Sequence, residues 1–432
     1  MTVHNSGPFR PRKMQQHEQR RAAPPPSEYA VAPPTASAAA AQQTQPQHTP
    51  FFLFPKSMCT FHGITFTVDP RYTIRCHVGQ GAQGVIWSAV DTHSPTQKEI
   101  AVKKMPNALD EVLAAKRLLR ELRLLRHLKH ENIVALLDIM LPPSTNVLLW
   151  KDVYAVYDLM DTDLEYVIKS GQEITNDHVK YFSAQLLSGI AYLHRCQVVH
   201  RDLKPGNILI DRDCRLKICD FGLARSCAKQ SDNDSNQLLT MYVTTRWYRA
   251  PELLCFNTAY GEAVDMWSAG CIVAELLLRR PLFQGTDPLN QLEQVVQLIG
   301  RPSEADLENV MNESALQFLE NLPQSEAQLE ETLSMASASA IELIRGMLRF
   351  NPETRISADE ALRHPYLEEY APDTATADAA AREELAPALL SEWLTITGLS
   401  TLPMEQLQNL IFQEMLHFHP EATALKWGAA QC

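Results

Sequence analysis

An ordered set of polar residues near the middle of this 432-residue chain constrains its fold most. The run His200-Arg201-Asp202-Leu203-Lys204-Pro205-Gly206-Asn207 is followed by Asp220-Phe221-Gly222. Transfer of a phosphoryl group needs an acceptor for a hydroxyl proton and a positive group beside the moving phosphate, roles that suit Asp202 and Lys204. It also needs oxygen ligands for magnesium, which Asn207 and Asp220 would supply. The order and spacing of the set predict a phosphoryl-transfer site.

A glycine-rich segment upstream predicts where a nucleotide binds. Gly79, Gly81 and Gly84 have the G-x-G-x-x-G spacing, which lets backbone N–H groups approach phosphates. Dinucleotide-binding folds use the same string, but there the last glycine opens a helix. Here it opens a β-branched run, which favours a loop between two strands. The predicted nucleotide contacts in this segment are Val78, Gly79, Gln80, Gly81, Ala82, Gln83, Gly84, Val85 and Ile86.

A lysine and a glutamate complete the predicted catalytic set. Lys103 follows two apolar residues on a predicted strand, where it can point at phosphates while Lys104 faces the opposite side. Glu121 lies in the middle of a predicted amphipathic helix, and we expect it to pair with Lys103. The alternative for a single helical glutamate is a solvated surface position.

The periodicity along the chain predicts an α+β fold with two lobes. Strand patterns and one helix, predicted over 108–128, fill a small lobe at 66–157, whereas helical patterns dominate a larger lobe at 158–370. Residues 1–58 are rich in Pro, Ala and Gln and predict a disordered tail. Residues 371–432 form a C-terminal extension, which starts irregularly and ends in a helix from Pro403 to Phe418.

Charge and cysteine content narrow the possible partners and compartments. Residues 1–58 carry a net charge of +4 and the remainder −16, and this acidic body argues against nucleic-acid or membrane binding. The nine cysteines are dispersed, as is typical of reduced thiols in the cytoplasm or nucleus. The basic residues of the tail could serve docking or nuclear import. An organellar transit peptide is disfavoured because prolines interrupt the tail.

From about Phe66 to Pro420 the chain resembles the mitogen-activated protein kinases. The segment Thr240-Met241-Tyr242, followed by residues 243–252, resembles that family's T-x-Y activation lip running into its substrate-binding loop. The motifs His364-Pro365-Tyr366-Leu367 and Leu410-Ile411-Phe412 also match the family pattern. The long lip is closest to the extracellular-signal-regulated branch. Three positions depart from the family: Met241, Thr244 and Tyr157, the last guarding the rear of the adenine pocket.

The resemblance implies a bilobal serine/threonine protein kinase that uses ATP and Mg²⁺ and prefers Pro after the phosphorylated residue. It implies a hinge with ATP contacts at Asp158 and Met160, and regulatory phosphorylation of Thr240 and Tyr242. Arginines expected to bind those phosphates are Arg120, Arg201, Arg225, Arg246 and Arg249. Expected partners are protein substrates, an upstream dual-specificity kinase unless the chain phosphorylates itself, phosphatases and basic docking peptides. Acids that could bind such peptides, Asp373 and Asp378, are more widely spaced than in the family.

Two alternatives remain at this point. A catalytically inactive kinase-fold scaffold would usually lack the lysine, the catalytic aspartate or the metal-binding aspartate, yet Lys103, Asp202 and Asp220 are all present. A cyclin-dependent-type kinase is disfavoured by the T-x-Y pair and the C-terminal helix.

Overall fold

The computed structural model describes residues 56–61, 63–81, 84–143, 150–226, 245–255, 261–308, 310–323, 326–370 and 402–422. Most of the predicted tail, residues 1–55, therefore lies outside the described residues, as do 371–401 and 423–432. Order was expected from Phe66, but a strand already begins at Ser57. It pairs with the next strand as a hairpin through Gly63, whose φ is 79°.

Twelve strands are described, mostly antiparallel: β1 (Ser57–Phe61), β2 (Ile64–Val68), β3 (Tyr72–Gly81), β4 (Gly84–Asp91), β5 (Glu99–Met105), β6 (Leu136–Ile139), β7 (Val153–Asp158), β8 (Thr162–Asp163), β9 (Val198–Val199), β10 (Ile208–Ile210), β11 (Leu216–Ile218) and β12 (Arg225–Ser226). Five of them form the sheet of the small lobe in the order β3-β4-β5-β7-β6. The remaining strands form the β1-β2 hairpin and two small sheets, β11-β10-β8 and β12-β9.

Twelve helices are described: α1 (Val112–His127), α2 (Leu164–Lys169), α3 (Asn176–Arg195), α4 (Pro251–Leu254), α5 (Ala263–Leu278), α6 (Pro288–Ile299), α7 (Glu304–Leu307), α8 (Glu313–Asn321), α9 (Leu329–Thr332), α10 (Ala338–Met347), α11 (Ala358–Leu362) and α12 (Met404–Phe418). All but α1 and α12 belong to the helical lobe. The α+β class and the two lobes predicted from the sequence are confirmed.

Alternation along the strands gives the small-lobe sheet two different faces. Ala101, Ala155 and Tyr157 pack with the leucines of α1, whereas Val102 and Tyr154 belong to the cluster beneath the β1-β2 hairpin. Successive residues of a strand point to opposite sides, so the register alone decides which side chains meet α1. That face is the one that carries Lys103.

Helix α1 starts four residues later than the sequence pattern predicted. Asn107 has a left-handed φ of 52°, and the backbone at Glu111 is still extended, so residues 106–111 form a turn rather than the first helical turn. Pro106 is the first residue of that turn. The apolar period extended to Ala108 because turn residues can pack on the core without being helical.

A buried ion pair fixes the scaffold of the large lobe. Arg355 donates from Nη1 to Glu252 Oε1 at 2.8 Å and from Nη2 to Oε2 at 3.0 Å. Further Arg355 bonds reach the carbonyls of Arg349 and Ala263. The sequence motifs Ala250-Pro251-Glu252 and Asn351-Pro352-Glu353-Thr354-Arg355 predict this buried pair, and the structure confirms it. The pair ties the short helix α4, which follows the activation segment, to the end of the lobe.

The end of the chain returns to the small lobe. Helix α12 packs against α1, and Glu414 accepts hydrogen bonds from Arg123 Nε at 2.6 Å and Arg126 Nε at 2.9 Å. Just beyond α12, His419 Nε2 lies 2.9 Å from Asp138 Oδ1 on β6. Within the described ranges, no helix combines the length and apolar character that a membrane span needs.

Candidate active site

Two polar side chains of the 200–207 loop, those of Lys204 and Asn207, converge on the carboxylate of Asp202. Lys204 Nζ donates to Asp202 Oδ2 at 2.7 Å, and Asn207 Nδ2 donates to the same oxygen at 3.0 Å and to the Asp202 carbonyl at 2.8 Å. These donors fix the direction of the carboxylate and leave its second oxygen, Oδ1, for an incoming group. A short 3₁₀ turn over Pro205–Asn207 produces the convergence.

A buried aspartate of α5 holds this loop in place. Asp265 accepts from the backbone N–H of His200 and of Arg201, both at 2.8 Å, and contacts His194 Nε2 at 3.1 Å. Burial opposes its ionisation, but these hydrogen bonds outweigh burial and lower the pKa of Asp265. The carboxylate can therefore hold Arg201 in its left-handed conformation, with φ at 72°. In the sequence, Asp265 belongs to the motif Asp265-x-Trp267-Ser268-x-Gly270 on a predicted helix, which indicates a scaffold role and does not reveal its direct bonds to the loop.

The loop and the Asp-Phe-Gly segment are linked through His200. One ring nitrogen, Nε2, lies 3.0 Å from the carbonyl of Cys219, and the ring packs edge-on against Phe221. Asp220 itself has a left-handed φ of 64°. Such backbone conformations cost about 1–3 kcal/mol outside glycine and concentrate at functional sites. The backbone conformation of Asp220 and the link to the loop together determine where the Asp220 side chain projects from the backbone.

Lys103 meets Glu121 as the sequence suggested. Nζ of Lys103 lies 3.2 Å from Glu121 Oε1; the Glu121 side chain is buried and that of Lys103 is half-buried. Burial alone would lower the pKa of Lys103, but the negative charges of Glu121 and Asp220 outweigh it and raise that pKa. Lys103 is therefore a fixed positive charge between the sheet, α1 and the Asp-Phe-Gly segment.

Tyr157 takes part in this ion pair, which the sequence did not reveal. Its hydroxyl donates to Glu121 Oε1 at 3.0 Å, the same oxygen that Lys103 contacts. Burial, followed by the charge of Glu121, raises the pKa of Tyr157 well above its usual value, so the phenol keeps its proton. Only its place just before the hinge singled out Tyr157 in the sequence, and that signal concerns size rather than hydrogen bonding.

The glycine-rich segment covers the end of β3 and the start of β4. A Cβ on Gly84 would sit 2.1 Å from the Lys104 carbonyl oxygen, and the residue has a φ of 155°, so only glycine fits. Gly79 and Gly81 face open space. Ala82 and Gln83 lie outside the described residues. The remaining predicted contacts, from Val78 to Ile86, lie on β3 and β4, the two strands on either side of Ala82 and Gln83.

The segment between the lobes carries the two predicted hinge residues. Asp158, at the end of β7, contacts Lys98 Nζ at 2.9 Å and Lys217 Nζ at 3.5 Å. Met160 is buried two residues later. Asp158 therefore joins Lys98, the residue before β5 of the small lobe, to Lys217 on β11 of the large lobe.

All five predicted phosphate-binding arginines lie within the described residues. Arg120 Nη1 donates to the Gly222 carbonyl at 2.9 Å, and Arg225 lies opposite Val199 in the β12-β9 pair. Arg249 is half-buried, and burial lowers its pKa to about 10; the charge of Asp202 opposes this shift, whereas those of Arg246 and Arg201 add to it. Arg201 and Arg246 are thus close enough to Arg249 for their charges to act on it. Thr240 and Tyr242 lie outside the described residues, so their placement stays a prediction.

Comparison with known proteins agrees with this geometry. Residues 72–367 match the family model described as protein kinase domain. Mitogen-activated protein kinase 4 of Oryza sativa is 45% identical over 361 residues, covering 83% of this chain and 92% of the relative. Mitogen-activated protein kinase 2 of Arabidopsis thaliana is 44% identical over 83% and 91%. Extracellular signal-regulated kinase 1 of Dictyostelium discoideum is 43% identical over 83% of this chain and 65% of its own length. The chain belongs to the mitogen-activated protein kinase family and is a serine/threonine protein kinase of signal transduction.

Proposed function

We propose that this kinase transfers the γ-phosphoryl group of ATP, with Mg²⁺, to serine or threonine followed by proline, and that phosphorylation of Thr240 and Tyr242 activates it. The observation that carries the catalytic part is the convergence of Lys204 and Asn207 on Asp202. In that arrangement the Asp202 carboxylate accepts the proton of the substrate hydroxyl, while the oxygen of that hydroxyl attacks the γ-phosphorus. The bond from phosphorus to the β,γ-bridging oxygen breaks, and ADP leaves.

The charged side chains have separate tasks in this reaction. Lys204 lies beside Asp202 and neutralises charge on the transferred phosphoryl group, whereas Lys103 holds the phosphates of ATP. Both donors bond to Oδ2 of Asp202, so its Oδ1 is the oxygen that can take the proton. No water-activating group is needed because the acceptor hydroxyl comes from the protein substrate.

Asn207 and Asp220 fit magnesium that arrives with the nucleotide. Asn207 directs its amide N–H₂ at Asp202, which keeps its amide oxygen as an acceptor for a hard cation. In the described part of the chain, no three His, Cys, Asp or Glu side chains form a metal cluster of their own. Magnesium commonly uses one or two carboxylates plus substrate phosphates, and it would neutralise phosphate charge here.

The grouping of Arg201, Arg246 and Arg249 supports control by phosphorylation. Burial is the main cause of the lowered pKa of Arg249, but the positive charges of Arg246 and Arg201 add to it, so an anion between the three guanidinium groups would be stabilised. A phosphate forms two or three charge-assisted bonds, each worth about 1.5–3 kcal/mol before ordering costs. Reversing a 1:99 equilibrium takes about 5.5 kcal/mol. After the cost of ordering the activation lip is subtracted, the bonds of one phosphate can supply less free energy than this reversal needs. This favours a requirement for two phosphates.

Proline preference, partners and location rest on family membership. The loop from Arg246 to Arg249 is the segment that would select proline after the phosphorylated residue. The acidic body of the chain suits basic docking peptides of substrates, phosphatases and an upstream kinase. Met241 separates the two phosphorylated positions, and an upstream dual-specificity kinase or self-phosphorylation would modify both. We place the protein in the cytoplasm and nucleus.

Mass spectrometry of the intact protein tests the proposal after incubation with ATP and Mg²⁺, alone and with a dual-specificity kinase. The phosphorylated protein is then assayed on peptides that differ only in Ser-Pro or Ser-Ala. We expect modification of Thr240 and Tyr242 and preference for Ser-Pro. Thr240→Ala and Tyr242→Phe should each lower activity severely. Full activity of the double variant would remove the proposed switch, and absence of transfer under every condition would favour the scaffold alternative.

A further inference from the structure

We propose that Tyr157 is a positioning residue for phosphoryl transfer: its hydroxyl orients Glu121 of α1 toward Lys103, independently of the lysine itself. The tyrosine would thus have a chemical role in addition to filling the space behind the nucleotide. The inference rests on the proposed use of ATP at this site. It concerns how firmly α1 is held against the sheet, which hydrogen exchange of the α1 amides measures without any turnover.

The strand register brings Tyr157 and Lys103 to one face of the sheet. Tyr157 on β7 lies opposite Ala101 on β5, and Lys103 lies opposite Ala155. Residues directly opposite in an antiparallel pair share a face, so all four point toward α1. The two alanines are small, which leaves room for the tyrosine ring between the sheet and the helix.

One carboxylate oxygen serves both donors. Glu121 Oε1 accepts from Lys103 Nζ at 3.2 Å and from Tyr157 Oη at 3.0 Å, and Glu121 is only 3% exposed. A hydrogen bond to an ionised group is about twice as strong as a neutral one, and a buried carboxylate has no water to replace it. The raised pKa of Tyr157 means that its hydroxyl stays a donor at any pH near neutrality.

The bond attaches α1 to the rigid sheet at the residue that precedes the hinge. Lys103 has a long flexible side chain, so its bond alone would allow Glu121 to shift with the helix. The phenol has two side-chain torsions and is buried among packed neighbours, so its hydroxyl is fixed in space. Glu121 is thereby held where Lys103 can reach it whether or not nucleotide is bound.

The test compares Tyr157→Phe with Tyr154→Phe. The first variant deletes the hydroxyl and keeps the ring. The second makes the same change on the other face of the same strand, where the Tyr154 hydroxyl accepts from the Thr67 N–H at 3.2 Å, away from the site. For protein with a phosphorylated lip, we expect Tyr157→Phe to lower kcat/KM for ATP about 10- to 100-fold, the range for a lost hydrogen bond to a charged group. Tyr154→Phe should stay within about twofold of wild type.

A double-mutant cycle with Glu121→Ala separates positioning from general destabilisation. If Tyr157 acts through Glu121, Tyr157→Phe should cost less than about twofold in the Glu121→Ala background. Hydrogen exchange of the α1 amides, which needs no activity, should be faster in Tyr157→Phe than in wild type and unchanged in Tyr154→Phe. An equal loss of kcat/KM in both backgrounds overturns the proposal, and so does unchanged exchange of α1.

The two readouts keep this inference separate from the proposed function. If wild type transfers no phosphoryl group from ATP even with both lip residues phosphorylated, the proposed function is wrong. The role of Tyr157 in holding Glu121 is then decided by α1 exchange alone: faster exchange in Tyr157→Phe retains it, and unchanged exchange removes it.

Discussion

Arg123 of α1 donates a 2.6 Å hydrogen bond to Glu414 of α12, across 291 residues of sequence. Both side chains are buried, and Arg126 contacts the other oxygen of Glu414 at 2.9 Å. Helix α1 is thus bonded on one side to the end of the chain and on the other, through Glu121, to the sheet. The helix that carries Glu121 is held from two directions.

Glu414→Gln should therefore destabilise the protein. The change leaves Arg123 charged and buried without its counter-charge, a situation that costs about 3–5 kcal/mol. Urea denaturation followed by fluorescence measures the loss. Glu405→Gln is the matched control, because Glu405 is exposed on the same helix and its loss should stay within about 0.5 kcal/mol. Equal stability of the two variants would mean that the buried pair contributes nothing.

The contact between His419 and Asp138 should make stability depend on pH. Burial disfavours the charged imidazole, but the hydrogen bonds to Asp138 and Glu421 outweigh it and raise the pKa of His419. Tyr72 donates to the other Asp138 oxygen at 2.6 Å, and Lys56 lies close enough for its charge to interact with Asp138. A raised folded-state pKa gives stability that is complete below the unfolded pKa of about 6.5 and is lost as pH rises through the folded value.

The pH effect is measured as a difference between wild type and His419→Gln. The free energies of unfolding should differ most near pH 5.5 and converge by pH 8–9, because the other charged groups are common to both proteins. A difference that stays constant over this range, or grows with pH, would contradict the role of the charged imidazole.

Asp202→Asn should separate binding from chemistry. The amide cannot accept the substrate proton, so kcat should fall by about 10²–10⁴-fold while ATP affinity stays nearly unchanged. Steady-state kinetics and titration with a fluorescent nucleotide give the two quantities. Asp110→Asn, at an exposed surface position beside Lys151, controls for the loss of one carboxylate. Wild-type turnover by Asp202→Asn would refute the catalytic assignment.

Tyr157→Ala should open the recess behind the adenine pocket. Removing a buried aromatic ring leaves a cavity and costs about 3–5 kcal/mol of stability, and enlarged ATP-competitive inhibitors should then bind. Tyr157→Phe keeps the ring and should exclude the same compounds. Competition binding measures both variants against wild type. Equal affinity of a bulky inhibitor for all three proteins would show that Tyr157 does not border the recess.

The sequence predicted those parts of the site that depend on short spacings. Asp202, Lys204 and Asn207 lie within one turn, so their spacing nearly determines their geometry. Glu121 could be paired with Lys103 because it is the one acidic residue of α1. The bond from Tyr157 to Glu121 depends on the register of β5 with β7 and on how α1 packs against them, which no local pattern encodes. The motif Leu410-Ile411-Phe412-Gln413-Glu414 resembles the family's returning extension, but the bonds of Glu414 to Arg123 and Arg126 could not be predicted, since these partners come from a helix far away in sequence.

The return of α12 to α1 also has a consequence for how the protein is made. The small lobe is held together by residues from the start of the fold and by α12, so it cannot be completed until α12 has been synthesised. Domains normally fold as units from the N-terminus during synthesis, but here the first lobe to emerge waits for the last described helix. A chain that terminated before α12 would lack Glu414 and would leave Arg123 and Arg126 without the carboxylate that they contact.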